Sequence, residues 1–127
     1  LAGCASLHTL DLSFCDQVTD VSVLGNLENL HKLFLNRTGV TDVSALAGCK
    51  ALHTLNLSFT RVTDISLLGN LENLQELYLR YCENVTDVSA LGNLENLHTL
   101  DLRGCSGVTA AMIEALKSSH PQLNIRG

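Results

Sequence analysis

The chain has 127 residues and a formal net charge of −5; 46% of its residues are hydrophobic and 17% are charged. This length predicts one compact unit, and the apolar content excludes a disordered acidic tail. No apolar run approaches the roughly 18 residues that a membrane span requires, and the acidic balance argues against a general nucleic-acid binder. Leucine supplies 26 residues, a surplus that suggests internal repetition.

Five copies of one leucine pattern follow each other along the chain. Their first residues, spaced by 22 or 23, are Leu7, Leu30, Leu52, Leu74 and Leu97. Each copy reads L-x-x-L-x-L-x-x-(C/T), followed by valine-threonine and by an apolar residue three positions after the valine, although the last copy changes after its valine. A fixed period of this length predicts a repeat architecture.

The spacing within a copy predicts one coil of a solenoid. Leucines two residues apart, such as Leu33 and Leu35, point the same way only in an extended strand. The three-residue steps from Val40 to Val43 and Leu46 require a tighter return, which is typical of short 3₁₀ segments. Coils stacked about 4.8 Å apart form a parallel sheet on one side. Since no coil buries its own core, neighbouring coils stabilise each other.

Neither end of the chain is a complete copy of the pattern. Residues 1–4 match residues 46–49 in the second half of a copy, so we expect the chain to start halfway through a coil and to be a fragment of a longer protein. At the other end, Thr109 is predicted to cap a helix over residues 110–117. Leu123 and Ile125 are then predicted to share the strand register of Leu100 and Leu102.

The pattern resembles the leucine-rich repeat family, in its 22-residue class that includes the internalins. The V-T-D-V-S-x-L segments at 40–46 and 85–91 are most similar to trypanosomatid adenylate-cyclase regulatory proteins. The resemblance covers residues 1–127 as a single domain. It implies an α/β solenoid with a curved parallel sheet on the concave side, short turns or 3₁₀ segments on the convex side, and one C-terminal helix.

The five cysteines are predicted to be structural. Cys15, Cys82 and Cys105 occupy a position that is threonine in the other two copies and that faces inward in the resembled family, where a thiol can donate a weak hydrogen bond. Cys4 and Cys49 occupy a leucine slot and are expected to act as small hydrophobes. No C-x-x-C motif is present. Unpaired buried thiols favour a reducing compartment, so a cytoplasmic location is predicted.

Two polar rows recur with the repeat. The histidine row is His8, His31, His53 and His98, and the aspartate row is Asp20, Asp42, Asp64 and Asp87. We favour a structural role for the histidines, because their row has no acidic or cysteine ligands in register. Metal binding by the histidines is the alternative. The aspartates are expected to accept hydrogen bonds from free N–H groups of the following turn, and a calcium ladder is the alternative.

The copies differ most on the outward-facing positions of the sheet, which are the third, fifth, seventh and eighth of each copy. All five aromatic residues and three of the five arginines fall there. These residue types are enriched in protein-binding hot spots. The predicted partner-binding residues are Phe14, Phe34, Arg37, Asn56, Phe59, Tyr78, Arg80, Tyr81, Asp101 and Arg103. In the alternative, the rings only pack on each other across coils.

These features predict a non-catalytic module that binds a protein partner through its concave sheet, as a regulatory or scaffold subunit. The sequence shows no serine–histidine–acid arrangement and no phosphate-binding loop, so no enzyme activity, cofactor or metal is expected. Nucleic-acid binding and membrane insertion are not expected, and self-association through the terminal coils is a further possibility. A secreted or surface receptor is the alternative function, because Asn36, Asn56 and Asn84 begin glycosylation motifs.

Overall fold

The chain folds as a solenoid whose coils share one parallel sheet. The structure is a computed structural model and describes residues 7–127, so the expectations for residues 1–4, including Cys4, lie outside it. The strands are β1 (Thr9–Asp11), β2 (Lys32–Phe34), β3 (Thr54–Asn56), β4 (Glu76–Tyr78), β5 (Thr99–Asp101) and β6 (Asn124–Arg126). They lie side by side in chain order, and the predicted solenoid is confirmed.

The repeat sets the register of β1 to β5. The central leucine of each strand pairs with the central leucine of the next, from Leu10 and Leu33 through to Leu77 and Leu100. All of these leucines point into the core, and those of β2 to β5 are fully buried. Because alternate residues of a strand face opposite sides, the flanking polar and aromatic side chains form the outer, concave face.

Within residues 7–127, four 3₁₀ segments form the convex side. They span Ser22–Asn26, Ser44–Gly48, Ser66–Asn70 and Ser89–Asn93, as the three-residue steps predict. An aspartate precedes each segment and accepts a hydrogen bond from the N–H of its first serine at 2.9 Å, as Asp20 does from Ser22. Hydrogen bonds from these serines hold the pKa of each of the four aspartates below its usual value. The predicted turn-capping role is confirmed.

Asparagine side chains tie neighbouring coils together where the chain returns to the sheet. The Asn73 Nδ2 group donates to the carbonyl of Lys50 at 3.0 Å, and the Asn96 Nδ2 group donates to the carbonyl of Glu72 at 2.9 Å. Both asparagines belong to a Leu-Glu-Asn-Leu segment. The recurrence of this segment is explained by bonds that each coil makes to the coil before it.

The inward polar position of the coils is satisfied in two ways. Thr38 and Thr60 each donate their hydroxyl to a carbonyl of their own coil at 2.7 Å. Cys82 and Cys105 donate their thiols to a leucine carbonyl of the preceding coil, at 3.0 and 2.8 Å. The predicted structural role therefore holds for these two cysteines. Cys15 differs from the prediction because it is exposed, with no described coil on its outer side.

The buried thiols make the stability of the fold sensitive to alkaline pH. Burial raises the pKa of the Cys49, Cys82 and Cys105 thiols, for Cys105 to about 11. Cysteines of an unfolded chain ionise near pH ~8.5, so unfolding at higher pH releases protons. We expect the free energy of unfolding to fall above this pH by up to about 1.4 kcal/mol per pH unit and thiol. Urea unfolding at a series of pH values measures the slope. Cys105→Thr should give a shallower decline, and an unchanged slope would contradict the assignment.

One helix follows the last copy. Helix α1 spans Ala110–Ser119, which is two residues longer than predicted. The Thr109 hydroxyl accepts a hydrogen bond from the N–H of Met112 at 3.2 Å, so the predicted cap is confirmed. Leu116 is the helix residue that is buried against the core. In the described part of the chain, no helix has the length and apolar character needed to cross a membrane.

The register of β6 corrects the prediction for the last strand. Ile125, rather than Leu123, pairs with Leu100. The chain makes a turn after the helix, in which the Leu123 N–H donates to the carbonyl of His120 at 3.1 Å. This turn places Leu123 in the core before the strand begins. The leucine spacing of the copies could not show this, because the helix replaces the usual return segment.

Candidate partner-binding site

Two columns of side chains run along the concave face. The position-five column follows the strand register and consists of Asp11, Phe34, Asn56, Tyr78, Asp101 and Arg126. The position-eight column lies three residues further along each coil and consists of Phe14, Arg37, Phe59, Tyr81 and Gly104. We call the four non-glycine members of the second column the aromatic ridge.

The backbone of the aromatic ridge is left-handed throughout. Its φ angles are 64° at Phe14, 58° at Arg37, 61° at Phe59 and 55° at Tyr81, and Gly104 continues the series at 79°. A non-glycine residue in this region costs roughly 1 kcal/mol. Each ridge N–H still donates to a carbonyl of the next coil, at distances of 2.7 to 2.9 Å. Backbone hydrogen bonds between coils therefore continue past the ends of the strands. They hold the ridge residues at fixed positions where the chain turns away from the sheet.

The ridge side chains stack on each other. The Arg37 guanidinium carbon lies 4.0 Å from the Phe59 ring centroid and 5.5 Å from that of Phe14. The rings of Phe59 and Tyr81 are stacked, with centroids 4.9 Å apart. Packing across coils is therefore present, as the alternative interpretation required. Phe14 and Tyr81 nevertheless stay accessible, at 67% and 47% exposed, while Phe59 is half-buried between its neighbours.

Gly104 makes room for the last ring of the ridge. A Cβ atom at Gly104 would lie 2.6 Å from the Tyr81 ring. The positive φ of this residue is also one that glycine adopts without strain. Both observations explain why the fifth copy has no side chain at this position.

Beside the ridge, Asp101 gathers arginines around one carboxylate. Arg103 binds it with two hydrogen bonds, Nε to Oδ1 at 2.9 Å and Nη2 to Oδ2 at 2.7 Å. The Arg80 Nε atom lies 4.0 Å from the same carboxylate. Burial by itself would raise the pKa of Asp101, but the hydrogen bonds from Arg103 and the charges of both arginines outweigh it and hold the pKa below its usual value. Asp101 therefore stays ionised and positions the arginines.

A groove of about 370 Å³ lies between the ridge and the position-five column. We call it the arginine groove, because its lining includes Arg37, Arg80, Arg103 and Arg126. Tyr78 also lines it and donates its hydroxyl to Glu76 Oε1 at 3.2 Å. Burial, followed by the nearby Glu76 carboxylate, raises the pKa of Tyr78. The groove thus combines fixed positive charge with a neutral aromatic floor.

The structure brings most of the predicted partner-binding residues together. Eight of the ten line the arginine groove, namely Phe14, Arg37, Asn56, Phe59, Tyr78, Arg80, Asp101 and Arg103. Tyr81, a member of the ridge, lines its outer side instead. Phe34 lies farther along the position-five column, half-buried between Asp11 and Asn56. Their role in binding a partner stays a prediction.

Two residues differ from the sequence-based site. Asp101 is only 1% exposed, so the expectation that it contacts a partner directly is corrected: the arginines cover it. Arg126 lies next to Asp101 in the sheet and lines the groove, but it was not among the predicted residues. The predicted register, with Leu123 opposite Leu100, placed Asn124 at position five, and the two-residue shift of β6 brings Arg126 there instead.

The histidines lie one residue before the strands, and those of neighbouring coils make ring contacts. The ring centroids of His8 and His31 are 5.0 Å apart, and those of His31 and His53 are 4.9 Å apart. Within residues 7–127, no group of three or more histidine, cysteine or acidic side chains could hold a metal ion. His8, His31 and His53 thus make ring contacts between neighbouring coils, whereas the Nδ1 atom of His98 lies 2.9 Å from the Thr99 hydroxyl.

Comparison with known proteins relates this architecture to a family. The chain matches the family described as "Leucine Rich repeats (2 copies)" over residues 5–48, 28–70, 50–92 and 72–118. Among curated protein sequences, none matches the chain significantly. The resemblance to the trypanosomatid regulatory proteins stays a prediction.

Solved structures with the same architecture include two internalins of Listeria monocytogenes. The internalin inlF is 32% identical, with a TM-score of 0.82, over 91% of this chain and 34% of that one. The internalin inlC2 is 31% identical, with a TM-score of 0.77, over 98% of this chain and 54% of that one. A leucine-rich repeat protein of Leptospira interrogans shares the fold at 23% identity and a TM-score of 0.79, over 87% of this chain and 29% of that one.

The chain thus spans between a third and about half of the two internalins. The family matches together cover residues 5–118, which include all five copies of the leucine pattern. Proteins with such repeats generally act as protein-interaction modules. The chain belongs to the leucine-rich repeat family and is similar in structure to its internalins.

Proposed function

We propose that this chain is a non-catalytic recognition module that binds a protein partner through its concave sheet. The observation that carries the proposal is the aromatic ridge, a continuous stack of rings and one guanidinium that remains accessible. Contiguous exposed apolar surface is a mark of interaction sites, and aromatic residues and arginine dominate binding energies. A face serving only solubility would carry lysine and glutamate instead.

The rigidity of the ridge supports the same proposal. Its side chains are held in left-handed backbone conformations by the hydrogen-bond ladder and by stacking on their neighbours. A surface whose side chains are already ordered loses less conformational entropy when a partner binds. The four strained, left-handed residues therefore form a contact surface that is already ordered before a partner binds.

A regulatory or scaffold role in a reducing compartment completes the proposal. Cys49, Cys82 and Cys105 are buried free thiols that donate to backbone carbonyls. Oxidation would remove these donors, so a reducing environment suits them. The regulatory role rests on the predicted resemblance of the V-T-D-V-S-x-L segments to regulatory proteins, which itself stays a prediction.

The proposal predicts that the double variant Phe59→Ala/Tyr81→Ala loses its partner while staying folded. Truncation of hot-spot rings weakens binding by at least about tenfold, whereas the lost stacking costs only about 1 kcal/mol of stability. The full chain is immobilised, and captured proteins are quantified for the wild type and the variant. Circular dichroism and thermal unfolding verify the fold.

Val23→Ala provides the matched control, because Val23 is an exposed apolar residue on the convex side. This variant should retain the captured proteins. Equal capture by the wild type and the folded double variant would refute the proposed concave site.

A further inference from the structure

We propose that the arginine groove binds an acidic segment of the protein partner, with the carboxylates of that segment paired to Arg80, Arg103 and Arg126. This inference rests on the proposed function and specifies the chemistry of the partner. It concerns the floor beside the ridge, where the structure concentrates charge.

Positive charge is concentrated in the arginine groove, although the chain as a whole is acidic. Four of the five arginines of the chain line this one groove. Its lining contains a single carboxylate, so its formal charge is +3, whereas the chain as a whole carries −5. The aspartates at the 3₁₀ segments lie on the opposite, convex side. A positive groove in an acidic molecule attracts acidic partners and repels basic ones.

Parts of the groove's guanidinium groups remain available to a ligand. Asp101 occupies Nε and Nη2 of Arg103. The Arg80 Nε atom is buried 4.0 Å from Asp101 and has no hydrogen-bond partner among the described residues, but 43% of the side chain is exposed, and it is this exposed part that a partner can reach. The Arg126 side chain makes no hydrogen bond or ion pair with residues 7–127. A carboxylate entering the groove can therefore bind the guanidinium of Arg126 bidentately and approach the exposed parts of Arg80 and Arg103, in charge-assisted contacts.

The placement of the arginines and rings favours a protein segment over a nucleic acid. Arg80, Arg103 and Arg126 lie on three successive coils at the C-terminal end of the concave face, and Arg37 lies two coils before Arg80. They do not form the long basic stripe that phosphate backbones require. The rings of Phe59 and Tyr78 line the same groove. Acidic side chains interspersed with apolar ones match this combination, because the carboxylates meet arginines while apolar groups meet the rings.

The test uses a fluorescein-labelled peptide of alternating glutamate and tyrosine, long enough to cross the six strands. Its binding to the full chain is measured by fluorescence anisotropy. We expect Arg126→Gln to weaken binding about fivefold, the upper range for an exposed ion pair. Arg61→Gln is the control: it removes the same charge from an exposed arginine on the outer side of the ridge, and should change binding less than about twofold.

Four results would overturn the inference. They are no binding of the glutamate peptide by the wild-type chain, equal weakening by both substitutions, tighter binding of an alternating lysine–tyrosine peptide, and binding of an alternating phosphoserine–tyrosine peptide more than about tenfold tighter than the glutamate peptide. The Phe59→Ala/Tyr81→Ala variant separates this inference from the proposed function. If it loses the natural partner while wild-type chain ignores the glutamate peptide, only the acidic-segment inference fails. If it retains the natural partner, the concave site itself fails.

Discussion

Replacing Leu77 with alanine is expected to lower the free energy of unfolding by about 3 kcal/mol. Leu77 is fully buried at the centre of β4 and lies between Leu55 and Leu100 of the neighbouring strands. In a solenoid each coil contacts only its neighbours, so the cavity weakens both interfaces of the fourth coil. Urea unfolding followed by circular dichroism measures the change.

Leu67→Ala is the matched control for this substitution. Leu67 is only partly buried, in a 3₁₀ segment on the convex side. Its truncation removes the same atoms but leaves little cavity, so the expected loss is about 1 kcal/mol. Similar losses at the two positions would show that the stack of leucines is not the main source of stability.

The second large effect is expected from Gly104→Ala. The new Cβ would lie 2.6 Å from the Tyr81 ring at a residue whose φ is 79°. We expect a loss of about 2 kcal/mol, of which roughly half comes from the left-handed backbone and the rest from displacing the ring. Because the chain has no tryptophan, the near-ultraviolet circular dichroism of its two tyrosines reports the movement of Tyr81.

A double-mutant cycle separates the two contributions. In a Tyr81→Ala background the ring is absent, so Gly104→Ala should cost only the backbone part, about 1 kcal/mol. A cost that does not depend on Tyr81 would contradict the close packing of this ring on Gly104.

The leucine spacing was sufficient to predict the core. The strands and 3₁₀ segments follow from local periodicities of two and three residues, and the register through β5 follows from the repeat of 22 or 23 residues. The Thr109 cap follows from the preference of helix N-termini for threonine. These periodicities determine which side chains face inward. Burial of a leucine in a repeat depends on the coils next to it, and those coils carry the same pattern.

The details of the site could not be predicted in the same way. The left-handed φ angles arise from a turn imposed on every coil, and a phenylalanine or arginine at such a position gives no local sign of it. Gly104 in the same column was the only hint. The burial of Asp101 depends on contacts from Arg103 and on the neighbouring coils, and the position of Arg126 depends on a turn after the helix. Non-periodic contacts of this kind are not visible in a repeat pattern.

The ridge residues are attached to the coils at a position that contributes nothing to the leucine core. Exchange of one whole coil for another of equal length would therefore transplant that coil's concave side chains together and leave the leucine pattern of the interior unchanged. Duplication or loss of coils could remodel recognition in discrete steps along the axis. Such a scaffold can diversify its specificity by recombination between its own copies, without the compensating core substitutions that a globular domain would need.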